Sequence, residues 1–243
     1  MAFEIFIAAP FGNWIKPVGC IPVTGTYTLH ARGNRLWSVL RTLRYDFKRK
    51  GWTNRLQLPN PGIVQGLERT SGNEILSIAE VNKNDFRKLI EIIPEGQSVE
   101  LNLSCPNLGG KMLPWDSAGV FAKYRGTDRE WCIAKVSPLV TPEQLEFLID
   151  DLGFTQLHFS NTLPWQEAGG LSGSVLRPYT LELIRLVREN WGDAVTIIAG
   201  GGVSDFGAVY EYLKEGANHV SLGSVCFNPF KLRKILKGKY DEN

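Results

Sequence analysis

The sequence predicts an α/β protein, a single-domain (β/α)8 TIM barrel whose first βα unit is reduced. Its 243 residues contain eight short apolar segments with little alternation, a pattern typical of parallel strands that are buried on both faces. Amphipathic segments separate most of these strands, and stretches rich in glycine or asparagine follow several of them. The predicted strands are residues 4–9, 19–23, 75–81, 99–104, 131–136, 155–160, 195–199 and 219–222.

Six amphipathic segments predict helices between the strands. The clearest begins at Thr141-Pro142-Glu143-Gln144, where a capping threonine precedes a proline and an acidic residue in the first turn. Another carries Leu183, Ile184 and Val187 on one face at helical spacing. The predicted helices are residues 36–48, 84–93, 142–151, 179–190, 205–215 and 229–236.

The first crossover is the weakest part of this pattern. Only residues 10–18 separate the first two predicted strands, so either the first helix is nearly absent or the strand assignment there is wrong. A doubly wound open sheet is the alternative fold, but no GxGxxG motif follows the first strand. No internal repeat or linker divides the chain, so residues 1–243 are interpreted as one domain.

Composition excludes several classes of function. The net charge is only +2 and no basic stripe is visible, so we do not expect nucleic acid binding. No apolar run approaches 18 residues, which argues against a membrane span. The four cysteines lie far apart without a CxxC pair, so we expect cytoplasmic thiols and no metal site. The first residues lack the features of a signal peptide, which agrees with a cytoplasmic protein.

The stretch from Val99 to Lys111 combines a strand with a run of polar groups. Alternation places Asn102 and Ser104 on one side of the strand, until a proline ends regular pairing. Cys105 then lies on a loop rich in proline and asparagine, where its thiol can reach a substrate.

Residues 102–107, Asn-Leu-Ser-Cys-Pro-Asn, resemble the active-site segment of the class 1 dihydroorotate dehydrogenases, flavoproteins of pyrimidine biosynthesis. The resemblance implies that Cys105 is the catalytic base and that Asn102 and Asn107 hold the flavin and the substrate ring. It covers residues 4–235, although the chain is shortened and divergent in places. A free cysteine is more often an inert core residue, which is the alternative for Cys105.

Two further segments resemble the family and also depart from it. Residues 23–29 are similar to its Val-Thr-Lys motif, but Gly25 stands where the family places a lysine beside flavin and orotate. Residues 54–62 are similar to its Asn-Pro-Gly loop, which makes Asn54 a substrate ligand. Gln57 replaces a glycine of that loop.

Lys135 is the one lysine of an otherwise apolar strand. A buried lysine needs an anion or a polar partner, whereas a surface lysine could extend its amine to solvent. The resemblance to the family's Val-Lys motif places Lys135 against the flavin, where its charge would favour the reduced state. Asn161 and Thr162 resemble the family's substrate-binding Asn-Thr pair, and His158 nearby is expected to be structural.

Glycine-rich turns follow the last strands, where a barrel of this type usually binds phosphate. Backbone N–H groups in such turns can surround an anion. Together these turns resemble the family's site for the phosphate of flavin mononucleotide (FMN). The cofactor-binding residues implied by the resemblance are Ala8, Ala9, Asn102, Lys135, Gly170, Ser172, Gly173, Gly201, Gly202, Gly223 and Ser224.

The resemblance implies an FMN-dependent oxidoreductase that converts dihydroorotate to orotate, with hydride transfer to flavin N5 and Cys105 as general base. Gly25 and Gln57 leave two alternatives open: a related enzyme for another dihydropyrimidine or ene substrate, and an FMN-binding relative without catalysis. Class 1 relatives are commonly dimers, which implies a homodimer. Because the chain has no cysteine cluster, electron transfer to NAD would need a partner subunit.

Overall fold

The computed structural model describes residues 3–33, 35–103, 118–126, 128–165 and 169–241. Eight parallel strands form a closed barrel, in which β2 pairs with β1 and thereby closes the ring. All eight predicted strands are confirmed, and so is the barrel fold. The barrel strands are β1 (Ile5–Ile7), β2 (Cys20–Tyr27), β5 (Ile75–Ile78), β6 (Val99–Asn102), β7 (Cys132–Lys135), β8 (Gln156–Phe159), β11 (Thr196–Ala199) and β12 (His219–Leu222).

Helices connect most of these strands on the outside of the barrel. The first crossover contains only one short 3-10 turn, Phe11–Asn13, so the expectation of a nearly absent first helix is confirmed. Helices α2 and α4 were not among the predicted helices. The helices are α1 (Arg35–Thr42), α2 (Ile63–Arg69), α3 (Asp85–Ile92), α4 (Ala118–Arg125), α5 (Pro142–Glu146), α6 (Arg177–Trp191), α7 (Phe206–Glu215) and α8 (Pro229–Asp241).

The predicted start of α5 is confirmed by its cap. The side chain of Thr141 accepts a hydrogen bond from the Gln144 backbone, and the Gln144 side chain accepts one from the Thr141 backbone. This reciprocal arrangement satisfies two backbone donors that a helix start leaves open. The segment continues beyond Glu146 as one π-helical turn, Phe147–Asp151.

The helix predicted over residues 36–48 is wrong in its second half. Helix α1 ends at Thr42, and the chain then forms strands of a separate sheet. Tyr45 and Trp52 face each other across this hairpin with ring centroids 5.2 Å apart, so aromatic pairing favours the extended conformation. The four strands of this sheet, called here the roof sheet, are β3 (Arg44–Asp46), β4 (Gly51–Asn54), β9 (Leu163–Trp165) and β10 (Gly169–Gly173).

The interior of the barrel has an apolar layer below a polar layer. Phe6, Val23, Ile75, Ile133 and Ile198 form a buried cluster separate from the main core between strands and helices. Because side chains alternate along a strand, the residues two positions after Ile75 and Ile133 share their face. These residues are Ser77 and Lys135, which are polar and buried. The polar layer consists of Ser77, Glu100, Lys135, His158 and Ser221.

Candidate active site

A cavity of about 640 Å³ lies at the carboxyl ends of the barrel strands, between the barrel and the roof sheet. Trp52 of the roof sheet packs on Phe227, which follows β12, with ring centroids 4.6 Å apart. Both rings line the cavity. Thirteen of the predicted site residues also line it: Ala8, Ala9, Asn54, Asn102, Lys135, Asn161, Thr162, Ser172, Gly173, Gly201, Gly202, Gly223 and Ser224.

Three predicted site residues remain. Cys105 and Asn107 lie outside the described residues. Gly170 is not in the wall: a methyl group there would overlap Oγ1 of Thr162 and lie 3.0 Å from its Cβ atom. The cofactor-binding role expected of Gly170 stays a prediction. Its glycine instead lets β10 approach Thr162 closely, so Gly170 shapes the cavity through its neighbour.

The amide side chains of the cavity form a hydrogen-bonded network. Nδ2 of Asn161 donates to Oδ1 of Asn102 across 2.7 Å, and Nδ2 of Asn102 donates to Oγ1 of Thr26 across 3.4 Å. The hydroxyls of Thr26 and Ser77 are 2.9 Å apart. The backbone N–H of Thr162 donates to Oδ1 of Asn161. Residues from three barrel strands and one loop thus hold the amides in fixed orientations.

Below the amides, Glu100 bridges two cavity residues. Its side chain has no exposed surface; Oε1 lies 3.4 Å from Nζ of Lys135 and Oε2 lies 2.6 Å from Nδ1 of His158. Burial alone would raise the pKa of Glu100, but Lys135 and His158 outweigh this effect and lower the pKa to about 2. Burial and the charge of Lys135 lower the pKa of His158. The cluster therefore combines one cation, one anion and a neutral imidazole.

The glycine turns form an open surface suited to an anion. Gly201 and Gly202 have φ angles of 81° and 74°, which side-chain-bearing residues rarely adopt. A methyl group added to Gly223 would meet no atom of the described residues within 4 Å. The buried hydroxyl of Ser221, also in the cavity wall, has no hydrogen-bond partner among the described residues. These features fit a ligand with a phosphate group and polar edges.

Gly25, which stands where the sequence resemblance leads one to expect a lysine, leaves no room for a side chain. Its φ angle is 101°, and an added Cβ atom would lie 2.5 Å from the carbonyl oxygen of Ser77 and 2.8 Å from the nitrogen of Tyr27. A lysine side chain therefore cannot enter the cavity here without a backbone shift. Among the described residues that line the cavity, Lys135 is the only lysine or arginine.

Sequence reasoning missed the partners that surround Lys135. Glu100 lies two residues before Asn102 in the same short strand, so strand alternation already placed both on one face. A buried lysine on the neighbouring strand required an anion, and Glu100 was available for that role. His158, which was expected to be structural, contacts Glu100 and lines the cavity, and its role stays a prediction.

The fold and the cavity define a (β/α)8-barrel protein with its ligand site at the carboxyl ends of the strands. The family model for dihydroorotate dehydrogenase matches residues 19–239. The chain therefore belongs to the dihydroorotate dehydrogenase family, as the motifs predicted.

Curated relatives agree with this assignment. The chain is 30% identical over 260 residues to the catalytic subunit of dihydroorotate dehydrogenase B (NAD(+)) of Thermotoga maritima, a match that covers 96% of this chain and 93% of the relative. It is 28% identical over 256 residues to the corresponding subunit of Endomicrobium trichonymphae, covering 93% and 81%. These relatives are named as dehydrogenases, which are oxidoreductases.

A solved structure supports the same fold. The crystal structure of DHODH from Eimeria tenella in complex with ferulenol matches with a TM-score of 0.80 at 18% identity, covering 98% of this chain and 81% of that chain. At this identity the likeness concerns the fold alone. Within the ranges that the structure describes, no helix is both long and apolar enough to cross a bilayer.

Proposed function

We propose that this protein is an FMN-dependent oxidoreductase that converts dihydroorotate to orotate in pyrimidine biosynthesis. The observation that carries the proposal is the convergence of Asn54, Asn102, Asn161 and Lys135 on one cavity that is also lined by the glycine turns. A cavity of this size accommodates a ligand of the size of a cofactor together with a small ring.

The described residues of the cavity wall divide into one group that would hold the cofactor and another that would bind the substrate ring. Gly201, Gly202, Gly223 and Ser224 would hold the phosphate of FMN, and Lys135 would lie beside its ring. FMN, when bound, supplies an acceptor for the hydride that the substrate loses. Ser221 offers a further hydroxyl for a polar edge of the ligand.

The amides bind and orient the substrate ring. Asn54, Asn102 and Asn161 can each donate and accept hydrogen bonds, which suits a ring of alternating carbonyl and N–H groups. In oxidation, dihydroorotate loses a hydride from one ring carbon and a proton from the neighbouring carbon, and a double bond forms between them. We assign receipt of the proton to Sγ of Cys105, with Asn107 as a further ligand of the ring.

A second candidate substrate is an uncharged dihydropyrimidine. Dihydroorotate carries a carboxylate, and Gly25 removes the cation that the resemblance places near it. Lys135, the one cation among the described residues of the wall, is already paired with Glu100. Dihydrouracil, which lacks the carboxylate, tests this alternative directly.

The proposed partner is a separate electron-transfer subunit. The Thermotoga maritima relative is named as the catalytic subunit of an NAD(+) enzyme. The four cysteines of this chain are far apart in sequence, which does not favour an iron–sulfur cluster of its own. We further propose that the enzyme is cytoplasmic and, like its class, a homodimer.

The test is anaerobic reduction of FMN-loaded protein, followed by the visible absorbance of the flavin. We expect dihydroorotate to bleach the wild type, and Cys105→Ser and Cys105→Ala to slow bleaching by about a hundredfold or more. The matched control is Cys132→Ser, which changes a half-buried cysteine outside the cavity wall.

Each outcome has a distinct meaning. Bleaching by dihydrouracil but not by dihydroorotate would replace the substrate and keep the reaction. A yellow protein that neither substrate bleaches would support the FMN-binding relative without catalysis. A folded protein that takes up no FMN would contradict the proposal as a whole.

A further inference from the structure

A second, smaller pocket lies beside the cavity. Its volume is about 280 Å³, and two of its wall residues, Leu56 and Pro59, also line the cavity. The segment that directly follows Asn54 therefore forms part of both walls. This pocket is called here the side pocket, and its described wall consists of Arg32, Gly33, Ser38, Leu56, Gln57 and Pro59.

Arg32 gives the side pocket a positive charge without a counter-charge. No acidic side chain occurs among the described residues of the wall. The Nε atom of Arg32 is buried and has no hydrogen-bond partner in the part of the chain that the structure describes. Because a buried donor without an acceptor is costly, this atom indicates that a ligand supplies the acceptor.

The backbone of Arg32 is fixed to the same loop. Its N–H donates to the carbonyl oxygen of Asn60 across 2.8 Å, and its carbonyl oxygen accepts from the Asn60 N–H across 2.9 Å. The buried side chain of Asn60 donates to the carbonyl oxygen of Leu58 and accepts from the N–H of Gly62. Asn60 thus ties Arg32 to the segment that carries Gln57. A side chain held at its base in this way loses less conformational freedom when it binds a ligand.

Gln57 has a backbone conformation that favours glycine. Its φ angle is 55°, and that of the next residue, Leu58, is 54°. Residues with a side chain adopt this left-handed region at a cost, whereas glycine adopts it readily. The sequence resemblance leads one to expect a glycine at this position, so the chain carries a side chain where glycine would cost less. The amide of that side chain can donate hydrogen bonds, and it lines the side pocket.

We propose that the side pocket is a binding site for a small oxyanion, a carboxylate or a phosphate group, with the Arg32 guanidinium as its cation. The planar guanidinium presents N–H donors in a fork that matches two oxygens of such a group. The Gln57 amide and the Ser38 hydroxyl add further donors. A volume of about 280 Å³ lies below the usual range for a drug-sized ligand, which favours a small anion or one end of a larger molecule.

The oxyanion can come from two sources. One is the carboxylate of dihydroorotate, if the ring in the cavity extends it past Leu56 and Pro59. This source rests on the proposed function, and it would give the carboxylate the cation that Gly25 does not provide. The other source is a separate small anion that binds independently of the ring, and it does not depend on the proposed function.

Calorimetric titration with inorganic phosphate tests the site. The protein is saturated with FMN at constant ionic strength, so that the glycine turns are occupied and general charge effects cancel. Arg32→Met removes the guanidinium and keeps an unbranched side chain, and it should raise the dissociation constant of phosphate about tenfold or more. Arg41→Met is the matched control, because Arg41 is an exposed arginine of α1 outside the wall of the side pocket. Equal phosphate affinity in all three proteins, or a wild type that binds no phosphate, would overturn the inference.

Thermal stability without ligand separates binding from a structural role. Arg32→Met removes a buried donor that has no partner among the described residues, so its melting temperature should not fall below that of the wild type. Gln57→Gly relieves the left-handed backbone and should also melt no lower, while phosphate binds about fivefold more weakly. Purely structural roles would give the reverse result, lower stability with unchanged phosphate affinity, and would contradict the proposed site.

Titrations with orotate and uracil distinguish the two sources of the oxyanion. If the substrate supplies the carboxylate, phosphate competes with orotate, and Arg32→Met weakens the binding of orotate about tenfold but not that of uracil. If a separate anion binds, phosphate and orotate bind together and Arg32→Met leaves orotate affinity unchanged. Either result supports the side pocket as an oxyanion site and identifies the source. Protein that binds phosphate through Arg32 but takes up no FMN would contradict only the proposed function.

Discussion

Asn161 donates from its side-chain amide to Oδ1 of Asn102 across 2.7 Å, which joins the loop after β8 to the end of β6. These strands are not neighbours in the barrel, because β7 lies between them. The bond therefore crosses the mouth of the barrel above Lys135, and it connects two residues that the sequence assigned separately to substrate binding.

Removing the amide of Asn102 should weaken ligand binding. Asn102→Ala removes one hydrogen-bond partner of the Asn161 amide and one of the Thr26 hydroxyl, so we expect the dissociation constant of FMN to rise about tenfold or more. Equilibrium titration by flavin fluorescence measures this. Asn190→Ala, on the outer surface of α6, is the control and should bind FMN as the wild type does. Equal affinity in all three proteins would remove Asn102 from the binding site.

A methyl group at Gly223 should block the phosphate without unfolding the protein. Its Cβ atom would meet no atom within 4 Å in the part of the chain that the structure describes, so Gly223→Ala should melt at the wild-type temperature while FMN uptake falls. Gly96→Ala, in the loop before β6, also adds a methyl group to open space and should change neither quantity. If Gly223→Ala takes up FMN normally, the phosphate does not bind at this turn.

Glu100 should make stability depend on pH in the acid range. The folded state lowers the pKa of its carboxyl from the ordinary value of 4.5 to about 2, since Lys135 and His158 outweigh the effect of burial. A lowered pKa stabilises the fold above pH 4.5, and this contribution, about 3 kcal/mol, disappears as the pH falls towards 2.

The comparison of wild type with Glu100→Gln isolates this effect. Urea denaturation at several pH values should show a large stability difference near neutrality that shrinks steadily in acid, because the variant has no carboxyl to protonate at this site. A difference that stays constant across the range would mean that Glu100 has an ordinary pKa in the folded protein.

The cap of α7 is predicted to contribute to stability rather than to binding. Oδ1 of Asp205 accepts a hydrogen bond from the Ala208 backbone across 3.0 Å, directly after the glycine turn. Asp205→Ala should lower the free energy of unfolding by about 1 kcal/mol. Asp205→Asn keeps an acceptor and should lose much less. If both variants lose equally, the charge of the carboxylate matters more than its hydrogen bond.

The barrel strands could be predicted because each is a short apolar segment separated by helices, and burial on both faces leaves that pattern in the sequence. The roof sheet could not, because Arg44–Asp46 and Gly51–Asn54 owe their conformation to pairing with each other and with Gly169–Gly173, far along the chain. Residues 36–48 therefore resembled one continuous helix. Local propensity carries no information on such distant partners.

The site divides in the same way. The place of Asn102, Asn161 and Lys135 in the cavity wall could be predicted because they belong to motifs at strand ends. The contacts of Glu100 with His158 and Lys135 could not, because they join different strands. These contacts depend on the register between β6, β7 and β8, which cannot be read from the sequence. For Gly170 the motif could be recognised in the sequence. The close approach of its backbone to Thr162 is seen only in the structure.

The roof sheet joins two loops that leave the barrel at different strands, one after β2 and one after β8. The eight barrel strands complete their own hydrogen bonds without it. Changes in the roof sheet can therefore alter which molecules enter the cavity while the barrel stays closed. The two loops must change together, because Asn54 pairs with Gly170 and lengthening one loop displaces the other. Divergence of substrate choice in this lineage should appear as paired changes in both loops.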